Sequence, residues 1–78
     1  MPTRVSLDET DLAILRVLAE LGRPARPREI AERAGLDARR VAAKMRKLRR
    51  LGLVDRLEEG VYTITDEGLK AIGKVAAV

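Results

Sequence analysis

PREIAERAGLDARRVAAKMRKLRRLG, residues 27–52, holds two helical patterns separated by a glycine. Pro27 suits the first turn of a helix, where no backbone N–H is needed, and Ile30, Ala31 and Ala34 supply an apolar face, so a short helix is predicted over about residues 27–34. Gly35 ends it, and Leu36 leads to Asp37, whose carboxylate is a good N-cap for a second helix. There Val41, Met45 and Leu48 recur at i, i+4 and i+7, with Leu51 nearby and Gly52 closing the run, which predicts a helix over about residues 38–51. With that row turned inward, Arg39, Ala43, Arg46 and Arg50 fall on the opposite side, flanked by Arg40 and Lys47 on one edge and by Ala42 and Arg49 on the other.

Upstream, Ser6-Leu7-Asp8-Glu9 fits a capping box with Ser6 as the cap. Leu12, Leu15, Leu18 and Leu21, widened by Ile14 and Val17, extend that helix over about residues 7–21, and Gly22 stops it. Asp8, Glu9 and Asp11 crowd the first turn, where the positive end of the helix dipole accounts for them without a metal. Gly22 to Arg26 is read as a loop. Downstream, Leu53–Leu57 and Val61–Ile64 are two short apolar or β-branched runs around Glu58-Glu59-Gly60, which predicts a hairpin. Thr65 then caps a last helix with Asp66 and Glu67 in its first turn and Leu69, Ile72, Val75 and Ala76 on its apolar side. The expected fold is mainly α with a small β-hairpin, in the order helix, helix, helix, hairpin, helix.

At 78 residues, 46% hydrophobic and 36% charged, the chain is expected to fold as a single domain over 1–78. So short a chain buries only about 60% of its unfolded surface, and a second copy covering more apolar area is the simplest remedy. Cysteine and histidine are both absent, which removes disulfides, thiol nucleophiles, the usual zinc ligands and the commonest general base, so no enzyme, metal or cofactor is expected. Ser6, the sole serine, has no histidine to activate it. Tyr62, the sole aromatic, is read as core filler, which disfavours single-strand binding by stacking. No apolar run approaches the roughly 20 residues a membrane span needs, and the expectation is a cytoplasmic protein with no membrane partner and no pocket for a small effector. The absence of asparagine, glutamine, phenylalanine and tryptophan beside abundant arginine fits selection against thermolabile side chains.

Net charge is +4, and its distribution matters more than its size. From Arg23 to Arg50 eleven basic residues face three acidic ones, a local charge of +8, while the rest of the chain carries −4. A basic segment on an acidic body is the footprint of a phosphate-facing surface.

Arg28–Leu36, with its short glycine turn into the next helix, together with Leu7–Leu15, Leu48–Val54 and Tyr62–Gly68, resembles winged helix-turn-helix transcriptional regulators of the MarR, PadR and ArsR kind, especially small archaeal ones. The resemblance covers nearly the whole chain. It implies a regulator of double-stranded DNA whose helix 38–51 enters the major groove, whose hairpin, the wing, touches flanking backbone, and whose terminal helices pair two copies on a palindromic site. Carried onto this sequence, it makes Arg39, Arg40 and Ala43, then Arg46 and Lys47, the candidates for base edges. Arg23, Arg26, Arg28, Lys44, Arg49, Arg50 and Arg56 become the candidates for phosphates, and Leu69, Ile72 and Val75 those for the dimer. Without asparagine or glutamine the usual bidentate grip on adenine is missing, whereas arginine suits guanine and alanine a thymine methyl. Two departures stand out: Arg26 occupies the position where such regulators often carry a serine or threonine cap, and Glu58 and Glu59 occupy a wing tip that is often basic. The alternatives are a non-specific architectural DNA binder and a protein-docking winged helix of transcription or replication machinery.

Overall fold

Asp37 accepts a hydrogen bond from the Arg40 amide at 3.1 Å and Gly35 turns the chain at φ 70°, so two helices meet at the angle this short linker allows. The computed structural model describes residues 7–73. Its elements are α1 (Glu9–Leu21), α2 (Pro27–Ala34), α3 (Ala38–Arg50), β1 (Val54–Glu58), β2 (Val61–Ile64) and α4 (Asp66–Ala71). The order is the one expected, four helices with an antiparallel hairpin before the last.

Ile14, Leu15 and Leu18 from α1, Ile30 and Ala31 from α2, and Val41, Met45 and Leu48 from α3 form the core, closed on the hairpin side by Leu53 and Val54. The buried row of α3 is the expected one. That of α1 is corrected: Leu12 and Leu21 are only half-buried, and the row runs instead through Asp11, Ile14, Leu15 and Leu18. Residues spaced by three drift about 60° per step around a helix of 3.6 residues per turn, so a leucine every third position cannot stay on one side over three turns.

The start of α1 is also corrected. Asp8, not Ser6, is the N-cap: its carboxylate accepts the Asp11 amide at 2.9 Å while the Asp11 carboxylate accepts the Asp8 amide at 3.0 Å. Ser6 lies outside the described residues.

Two further corrections concern the sheet. Ala25, read as loop, is buried and exchanges both backbone hydrogen bonds with Tyr62 at 2.8 and 2.9 Å, so β2 lies between β1 and a one-residue bridge. β1 carries a bulge, since Arg56 pairs with Tyr62 but Glu58 with Val61, and the extra residue, Leu57, turns outward with 57% of its surface exposed.

Thr65 caps α4 as expected, its hydroxyl accepting the Gly68 amide at 3.1 Å and donating to the Gly52 carbonyl at 2.7 Å. Val75 and Ala76 lie outside the described residues. Among the described residues, no helix is long and apolar enough to cross a membrane.

Candidate nucleic-acid interface

The surface of α3 sorts its cations into two groups. Arg39, Arg40, Arg46, Arg49 and Arg50 are exposed, with Ala38, Ala42 and Ala43 exposed among them. Among the described residues none of these five arginines takes part in an ion pair. Lys44 and Lys47 point elsewhere: both are half-buried and reach across to the start of α1.

There the Lys44 ammonium donates to the Asp8 carboxylate at 2.6 Å and lies 3.7 Å from Asp11 Oδ1, while Lys47 donates to Asp11 Oδ2 at 2.8 Å. Asp11 is fully buried. The two lysines, expected at phosphate and at a base edge, are thus engaged as the counter-charges of a buried carboxylate, and they tie α3 to α1 over 36 residues of chain. The sequence did hold a signal for this. Asp11 continues the inward row of α1 at i, i+3, i+4 and i+7, and lysines three apart on α3 offer two donors on one side.

The Lys44 hydrogen bond is the main reason the Asp8 carboxyl is lowered from its ordinary 3.8 to about 2, the Asp11 amide adding to it, and the same bond raises Lys44. A carboxyl whose folded pKa is depressed contributes stability that is complete above its unfolded value and disappears as pH falls through the folded one. Thermal melts are therefore expected to decline between about pH 4 and pH 2, and Asp8→Asn to make that decline shallower. An identical acid limb in the variant would remove Asp8 from the balance.

The three arginines at the start of α2 do not form one clamp. Arg23 turns to Glu29, with hydrogen bonds of 3.2 and 2.5 Å that hold the Glu29 carboxyl below its ordinary range. Arg28 lies 3.9 Å from Glu32. Arg26 caps nothing with its side chain and reaches the wing turn, where its Nη1 would be 3.2 Å from a Cβ placed on Gly60. With Pro24, Ala25 and Val61 these residues line an open surface cleft of about 420 Å³. Arg56 is exposed on β1, below the exposed Glu58 and Glu59. Leu69 on α4 and Ile72 at its C-cap are half-buried, and α4 packs against α1.

The bond from Asp37 and the pull of the lysines thus leave α3 presenting a side made only of guanidinium and methyl groups, anchored on its other side by apolar packing and three ion pairs. Such a side can donate hydrogen bonds to phosphate oxygens and base acceptors, and has nothing with which to accept one. Comparison with known families gives residues 7–55 a match to a family described as winged helix-turn-helix DNA-binding. That span runs from α1 through α3 into β1 and contains the whole arginine surface. No curated protein gives a significant match.

Proposed function

Because the chain belongs to the winged helix-turn-helix DNA-binding family, we propose that it regulates transcription by laying α3 in the major groove of double-stranded DNA. Arg39, Arg40, Ala43 and Arg46 face base edges in this reading, and Arg49 and Arg50 hold phosphates. Lys44 and Lys47 orient the helix from behind. The observation that carries the reading is the set of five exposed arginines on one element with no acidic partner among the described residues. That leaves their guanidinium groups open to a polyanion such as a duplex backbone.

A pair of copies on a palindromic site supports the same function, since one helix reads only a few base pairs and two-fold symmetry doubles them. Leu69 of α4 and Ile72 at its C-cap, with the half-buried Leu12 and Ala13 of α1, are the apolar residues on offer.

The test is a fluorescence titration of a duplex over a salt series, with sedimentation of the same sample. Binding is expected to weaken steeply with salt, and Arg49→Ala to reduce the slope by about 1 without changing preference among sequences. A mass twice the 8.6 kDa of the chain supports the pair. Failure to bind any duplex at low salt, with the fold intact, overturns the reading. That outcome would favour a protein-docking role, for which the outward Leu57 between Arg56 and the glutamates Glu58 and Glu59 is the specific observation.

A further inference from the structure

Resting on the major-groove reading, we infer that α3 recognises two guanines about two to three base-pair steps apart, gripped by Arg39 and Arg46, with a thymine methyl between them against Ala42 and Ala43. The inference starts from what the exposed side of α3 lacks. Adenine shows the groove an N6 donor and cytosine an N4 donor, and a protein reads either with an acceptor. Asp37, the acid nearest this surface, has its carboxylate on the Arg40 amide, and the remaining exposed side chains from Ala38 to Arg46 are arginine and alanine. Guanine, with O6 and N7 both accepting, is the base edge that satisfies a guanidinium fork on two bonds.

Spacing sets the rest. Arg39 and Arg46 are seven residues apart, two turns of one face, which separates them by roughly 10 Å along the axis. Successive bases rise by about 3.4 Å along the duplex axis, and a helix lying along the groove climbs that axis obliquely, so the two forks fall about two to three steps apart. Ala42 and Ala43 sit midway and are exposed. Their short side chains let the helix approach closely and present methyl groups where a thymine methyl projects. The lysine anchor contributes as well. With Lys44 and Lys47 held on Asp8 and Asp11, the middle of the surface carries no long cation to hold the helix away from the base pairs.

The experiment is selection of bound sequences from a random duplex pool by the full chain at physiological salt, followed by base analogues in the winning duplex. Two guanines two to three steps apart with an intervening thymine are expected. Replacing either with 7-deazaguanine, which removes one of the two acceptors, is expected to weaken binding about tenfold. Replacing the thymine with uracil, which removes only the methyl, is expected to weaken it about fourfold. Arg39→Ala should abolish the response to one 7-deazaguanine and leave the other, with an unchanged melting curve. A selected site lacking paired guanines, or one indifferent to the 7-deaza substitutions, overturns the inference. Equal binding to all sequences overturns it too while leaving DNA binding in place, whereas no binding to any duplex at low salt overturns the reading beneath it.

Discussion

Gly68→Ala is expected to lower the melting temperature by on the order of 10–20 °C. A Cβ at position 68 would lie 2.2 Å from the Leu53 carbonyl oxygen and 2.7 Å from Ile64 Cγ1. Neither neighbour can give way easily. The Leu53 oxygen accepts the Thr65 amide at 3.1 Å, the preceding Gly52 oxygen accepts the Thr65 hydroxyl at 2.7 Å, and Ile64 is the last residue of β2. To admit a methyl, α4 must lift from the hairpin and break its own cap. Overpacking of this kind costs about 3 kcal/mol, and in a domain of this size each kcal/mol is worth roughly 4–8 °C. Gly22→Ala is the control: its φ of 64° is strained for alanine but the space is open, so the loss should be about 1 kcal/mol. Circular dichroism melts of the two variants decide the matter. Equal losses would show that the close approach of α4 to residue 53 contributes nothing.

Asp11→Ala is expected to cost about 2–3 kcal/mol and to loosen α3 against α1. The change removes a buried carboxylate together with the Lys47 hydrogen bond, the contact with Lys44 and half of the capping box. Hydrogen bonds to charged groups contribute about 1.5–3 kcal/mol and a cap about 1 kcal/mol. Against this, burying the carboxylate has its own desolvation cost, and the lysines, with 21% and 35% of their side chains exposed, can turn to water once released. Asp11→Asn keeps an acceptor for the Asp8 amide while removing the charge, so it should lose roughly half as much. Denaturant titration of both variants separates the two contributions, and an Asn variant as unstable as the Ala variant would assign the whole effect to the ion pairs.

What could be read from the residues was whatever the chain announces locally. Pro27, Gly35 and Asp37 punctuate α2 and α3 so sharply that the bounds of α2 agree with expectation and those of α3 differ by one residue at its end. The 3.6-residue row of Val41, Met45 and Leu48 fixed which side of α3 is hidden, and hence which arginines are exposed. Pairings between distant segments were not announced in this way. Ala25 joins Tyr62 through backbone groups that every residue possesses, so nothing in its identity marks the bridge. Locally Asp11 reads as one more dipole-facing acid, because its lysine partners lie 33 and 36 residues away. By charge alone Lys44 and Lys47 group with the arginines, although a flexible ammonium suits a cradle of two carboxylates and a planar guanidinium suits an outward fork. The outward turn of Leu57 depends on one extra residue in a five-residue strand, and periodicity in so short a run cannot locate a bulge.

The bulge has a consequence for how the molecule behaves in a crowded solution. β2 is flanked on both sides, by β1 and by Ala25, but among the described residues β1 has a partner on one side only, so its outer row of amides and carbonyls forms the rim of the sheet. Such a rim is a template on which a stray strand can polymerise. Here the rim is five residues long, kinked by Leu57, and studded with Asp55, Arg56, Glu58 and Glu59, so an incoming strand meets broken register and fixed charge. The glutamates that suit a phosphate backbone so poorly are, with the bulge, features of the kind that blunt an open strand against edge-to-edge growth.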